Sequence, residues 1–82
     1  MSYTTPLYPN RLRVTRENAG YTQKQLARLL GYNNSNAVCA WENEHTMPSG
    51  TNLLKLCILY RTTPMELYPE YTQQMEYILI AT

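Results

Sequence analysis

A single histidine, two cysteines and six acids, every acid a glutamate, are the only imidazole, thiol and carboxylate side chains in these 82 residues. His45 stands in a polar stretch. Cys39 and Cys57 have neither CxxC spacing nor a histidine at a ligand interval, so zinc or a disulfide framework is not expected. They read instead as two reduced structural thiols, as in a cytosolic protein. No glycine loop cradles a phosphate and no paired acids stand ready for acid–base work, which argues against an enzyme, a cofactor or a small-molecule ligand. The chemistry that is present is hydrogen bonding. Residues 31–44, GYNNSNAVCAWENE, concentrate four asparagines and one serine around alanine, valine and cysteine, and contain no lysine or arginine. Asparagine serves turns and caps as readily as it serves recognition, so this run reads either as a polar loop or as a small-residue helix laid against something.

The elements that must hold this stretch are short helices. Asn10 caps a helix over about 11–18, ended by Gly20 as a left-handed residue, with Leu12, Thr15, Arg16 and Ala19 inward. In TQKQLARLLG, Thr22 and Gln25 form a capping box, Leu26, Leu29 and Leu30 make the apolar stripe, and Gly31 ends the helix. Val38 and Trp41 set the buried edge of a helix over about 35–43, capped by an asparagine. HTMPSG is a loop. Leu53, Leu56, Cys57 and Tyr60 share one face of the next helix. Thr63, Pro64 and Glu66 then spell a second capping box with proline at the first helical position. The tail YTQQMEYILIAT is open between helix, from Met75, Ile78 and Leu79, and strand, from the composition of EYILI. It is too apolar to stand in water and packs on its own domain or on a second copy.

Size and charge set the limits. The chain makes one small domain close to the lower size for an unaided core, so self-association is expected. Apolar content of 44% with 16% charge indicates a globular chain. No apolar run spans a membrane and the first residues lack a signal peptide's pattern, so a soluble, cytoplasmic protein is expected. The net charge of +1 conceals a division. Residues 1–41 carry five basic side chains against one acid, +4, whereas residues 42–82 carry two against five, −3. A basic half suits a polyanion, although two helix-rich halves with ordinary surface charge would show the same division.

Taken together, RLRVTRENAGYTQKQLARLLGY, VCAWENE, MPSGTNLLKLCILY and TPMELY resemble the lambda-repressor-like, Cro/XRE-type DNA-binding domains. The T-Q-x-x-L-A-x-x-L-G core, the W-E after the third helix, the P-S before the fourth and the T-P-x-x-L of the fifth stand in that family's order. The resemblance covers about Asn10 to Tyr68. It implies an all-α, five-helix helix-turn-helix domain over residues 10–69, preceded by an arm at 1–9 and followed by a short extension at 70–82. One small core of Leu12, Leu26, Leu30, Val38, Trp41, Leu53, Leu56 and Leu67 fits that arrangement. The resemblance also pairs Arg16 with Glu42, which gives the inward arginine the partner a buried charge needs.

In such domains the third helix enters the major groove and the second crosses the backbone. The resemblance therefore places base contacts on Asn34, Ser35, Asn36, Cys39 and Ala40, which point away from Val38 and Trp41. Asparagine can pair bidentately with adenine, and alanine can touch a thymine methyl. Phosphate contacts fall on Thr22, Gln23 and Lys24, on Asn33 near the entry to the third helix, on Asn43, His45 and Thr46 after it, and on Ser49. Against the family pattern, the turn before the third helix is about one residue longer, and Ala40 replaces a longer polar side chain. Phosphates are thus expected to supply much of the affinity. The leading expectation is a sequence-specific, repressor-like regulator of double-stranded DNA. It would act as a homodimer on half-sites roughly 34 Å apart, with the tail after Glu70 as dimer element. The rival, motivated by the uncharged third helix, is a protein-interaction module on the same fold, an antitoxin or antirepressor partner.

Overall fold

A computed structural model of the protein describes residues 7–81, all of whose regular structure is helical. Residues 1–6, most of the expected arm, and Thr82 lie outside the described residues. The helices are α1 (Leu12–Ala19), α2 (Gln23–Leu29), α3 (Asn36–Glu42), α4 (Gly50–Tyr60), α5 (Pro64–Leu67) and α6 (Pro69–Ala81). The tail is therefore helix, and the fold is the five-helix domain with its extension continued as a sixth helix.

Local chemistry accounts for most boundaries. Asn10 Oδ1 accepts from the Leu12 N–H at 2.9 Å, and Gly20 ends α1 at φ +87°. The Thr22 and Gln25 side chains form the reciprocal capping box at the start of α2. Gly31, at φ +91°, turns the chain toward α3 in a conformation that costs glycine nothing. Ser49 caps α4 through the Asn52 N–H, and Thr63 caps α5 through the Glu66 N–H. The second capping box is only half formed, because the Glu66 carboxylate takes the Thr62 hydroxyl instead of the backbone of Thr63. Pro69 opens α6 at the position where proline's missing N–H is harmless.

The core gathers Leu12, Leu26, Leu30, Val38, Trp41, Leu56 and Leu67 with Ala27, Tyr60 and Tyr68, while Leu53 is only partly buried. Two expected inward positions are exposed. Leu29 falls at the rim of α2, since successive side chains rotate by about 100° and the arc of Leu26, Ala27 and Leu30 leaves it to one side. Ala19 is exposed in the last turn of α1, beside Gly20. α3 packs on α2 and α1, α4 on α1 and α5, and α6 on α5. Tyr71 of α6 meets Tyr8 edge to face at 5.4 Å, but no residue of α6 is fully buried. No helix is long and apolar enough to cross a membrane among the described residues.

Candidate nucleic-acid interface

The site is built around one carboxylate. Glu42, the last residue of α3, has a side chain only 1% exposed, and Arg16 of α1 meets it with two bonds. Arg16 Nε donates to Oε2 at 2.6 Å and Nη2 donates to Oε1 at 3.2 Å. The third direction is taken by Gln23, whose Nε2 donates to Oε1 at 2.9 Å. Arg16 Nη1 also donates to the Tyr21 carbonyl at 2.8 Å, fixing the connection between α1 and α2. Burial by itself would raise the Glu42 carboxyl, but the hydrogen bonds from Arg16 and Gln23 and the guanidinium charge outweigh it. The group is held below its ordinary value. The same bond raises the Arg16 guanidinium. α3 is thus fastened by its C-terminal end to both preceding helices.

Further bonds fix its two ends. The N-cap position of α1 falls on Arg11, not on Asn10 as expected. Asn10 Nδ2 donates to the Trp41 carbonyl at 2.8 Å, so the residue whose oxygen takes the Leu12 N–H also holds the end of α3. Tyr32, in the turn, stands edge to face with Trp41 at 5.9 Å, and its hydroxyl accepts from Asn52 Nδ2 at 2.9 Å. At the entry, Asn34 Oδ1 accepts from the Asn36 N–H at 3.0 Å. Asn34 therefore performs the capping role of an asparagine, with one of its amide oxygen's two acceptor positions taken. Ser35 stands at the N-cap position without a side-chain capping bond.

The outward side of α3 carries Asn36, which is exposed, with Ala40 and Cys39 partly covered. Cys39 Sγ accepts from Asn43 Nδ2 at 3.3 Å, and Asn43 Oδ1 accepts from Arg13 Nη2 at 3.1 Å. Arg13 also approaches Glu42 at 3.5 Å while remaining more than half exposed. Its place was missed at the sequence level, yet it stands three residues before Arg16 and so on the same side of α1. Gln23 spends one amide hydrogen on Glu42 and keeps a second. Thr22 and Ser49 use their hydroxyl oxygens as caps and retain their hydroxyl hydrogens. The side chains of Lys24, Asn33, His45 and Thr46 are exposed and form no hydrogen bond among the described residues. Glutamine 23 and asparagine 43 are thus brought to the end of α3, whereas the other phosphate candidates stand apart on α2, the turn and the loop. Among the described residues no group of three or more His, Cys or Glu side chains gathers that could hold a metal.

A short helix with an exposed polar side, joined through a glycine turn to a second helix and pinned to it by buried polar bonds, defines a helix-turn-helix domain. The helix-turn-helix family model matches residues 12–67. The chain belongs to this Cro/C1-type, XRE family, and is a DNA-binding helix-turn-helix regulator. No curated protein and no solved structure gives a significant match.

Proposed function

We propose that the protein is a sequence-specific, repressor-like transcriptional regulator that reads the major groove with α3 and acts as a homodimer. The carrying observation is the division of α3 itself. Val38, Trp41 and Glu42 are buried, while Asn36 is exposed with its side-chain amide uncommitted. Asn36, Ser35 and Ala40 are the base-reading candidates, with Cys39 beside them. Asn34, whose oxygen already takes the Asn36 N–H, keeps its amide N–H groups and one acceptor position for a base. Thr22, Gln23, Lys24, Asn33, Asn43, His45, Thr46 and Ser49 are the proposed phosphate contacts, and the position of Arg13 beside Asn43 adds a cation. Residues 10–69 serve as the DNA-binding unit, and those from 70 onward as the dimer element.

Selection from random DNA followed by footprinting tests this reading. Asn36→Ala should then lose about 1–3 kcal/mol on the selected site and relax its sequence preference. An unchanged preference would mean that α3 does not read bases through this position. Affinity should also fall with salt by roughly 0.9 log unit per log unit for each phosphate contact. A flat salt dependence favours the second reading, a protein-interaction module. That reading has its own observation, since α3 contains no lysine or arginine.

A further inference from the structure

We infer that the groove between α1, α4 and α5 receives α6 of a second copy, and that two copies exchange this contact reciprocally. The groove has a volume of about 650 Å³, with Val14, Tyr60, Met65 and Pro69 as its apolar lining and Arg11 and Arg61 as its cations. Met65 and Pro69 also line an adjoining hollow of about 310 Å³ that runs along Thr72, Gln73 and Glu76. The two form one trough. Val14 is 50% exposed and Met65 58% exposed, an apolar floor that nothing in the same chain covers fully.

The occupant is argued from charge and from the state of α6. This helix carries Glu70 and Glu76 and neither lysine nor arginine. The cations Arg11 and Arg61 gather in the larger groove, where they outnumber the single acid Glu66, while the adjoining hollow carries Glu76. α6 buries no residue, and its last turns present Tyr77 at 76% and Ile80 at 83% exposure. A 13-residue helix is marginal in water without packing. Such a helix is ~20 Å long and ~10 Å wide. Two reciprocal contacts of that size remove on the order of 1,000 Å² in all, at the lower edge of stable interfaces. Because α6 itself forms one end of the trough, donor and acceptor surfaces adjoin, and a two-fold arrangement closes without leaving either open. A second exposed apolar patch, at Leu29 and Ile58, opens hollows of about 480 and 180 Å³, and Ile58→Glu tests it separately.

This inference rests on the homodimer proposed above, and charge reversal separates the two. In sedimentation equilibrium the unmodified chain should dimerise. Arg11→Glu/Arg61→Glu and Glu70→Arg/Glu76→Arg should each self-associate at least tenfold more weakly, with thermal melts showing that both fold. Mixed in equal amounts they should form a heterodimer within about threefold of the parent affinity, since each α6 then meets an opposite charge. Ile58→Glu should leave the dimer intact. A dimer that survives both reversals, or a mixture no tighter than its components, overturns the trough contact while leaving the homodimer standing. A dimer lost in Ile58→Glu places the interface on the other patch. A chain monomeric at every concentration overturns both.

Discussion

Removing Arg16 alone strands the Glu42 carboxylate in a site its side chain leaves only 1% exposed. Arg16→Ala should therefore cost about 3–5 kcal/mol in urea unfolding, whereas Arg16→Met/Glu42→Leu should recover much of that loss. A double variant no better than the single one would show that packing, not charge, governs the site. At the tyrosines the balance runs the other way. The Tyr60 and Tyr68 hydroxyls are buried without a hydrogen-bond partner among the described residues. Burial, reinforced by the charge of Glu44, pushes Tyr68 up to about 12, and burial likewise raises Tyr60. A raised tyrosine stabilises the fold fully below the unfolded value of about 10 and loses that contribution as pH rises through its folded value. Tyr68→Phe should thus flatten the fall in melting temperature between about pH 10 and 12, and leave neutral-pH stability unchanged or about 1 kcal/mol higher. Single side chains were legible unevenly in the sequence. An inward arginine demands a carboxylate, and the family resemblance pointed to Glu42 as that carboxylate. Nothing local foretold that Asn10 would reach the Trp41 carbonyl, 31 residues away.

Among the helices, the turn from α2 to α3 is the most demanding joint. Gly31 sits at φ +91° with nothing near enough to collide with an added Cβ, so Gly31→Ala isolates the backbone cost. It should lower stability by about 1–2 kcal/mol, measurable by denaturant midpoint, and weaken DNA binding by tilting α3. An unchanged midpoint would mean that the turn relaxes elsewhere. Helix ends were legible because caps and glycines act locally: Thr22 with Gln25, Gly20, Ser49 and Thr63 all stand where their chemistry predicts. Helix faces were less so. Leu29 and Ala27 differ by two positions, and only the side on which the shared core lies decides that the alanine is the buried one. The tail was undecidable by composition because its β-branched residues suit a strand, yet a strand requires a pairing edge. Among the described residues none exists, and the chain runs from the Tyr68 carbonyl directly into helical hydrogen bonding at Thr72.

For the molecule as a whole, binding strength should depend on two copies acting together. Ile80→Glu, at an exposed position of α6, should leave affinity for a single half-site unchanged while weakening a paired site by about a hundredfold. Equal losses on both sites in a gel-shift titration would instead place α6 at the DNA. The family and the helical class were legible from motifs spread over three quarters of the chain. The tail was legible as a candidate dimer element, but the trough proposed to receive it was not, because it is assembled from α1, α4 and α5 only in the fold. One consequence follows from the way α3 is fastened. Its mounting is at the rear and the end, through Val38, Trp41 and Glu42, and draws on α1, α2 and the Asn10 junction. Its exposed side, the proposed reading side, carries none of those attachments. The helix therefore works as an interchangeable head on a fixed stock: residues 36 and 40 can be exchanged for others without loosening the mount. On the proposed function, new operator preferences are then reachable by single substitutions that the fold scarcely registers.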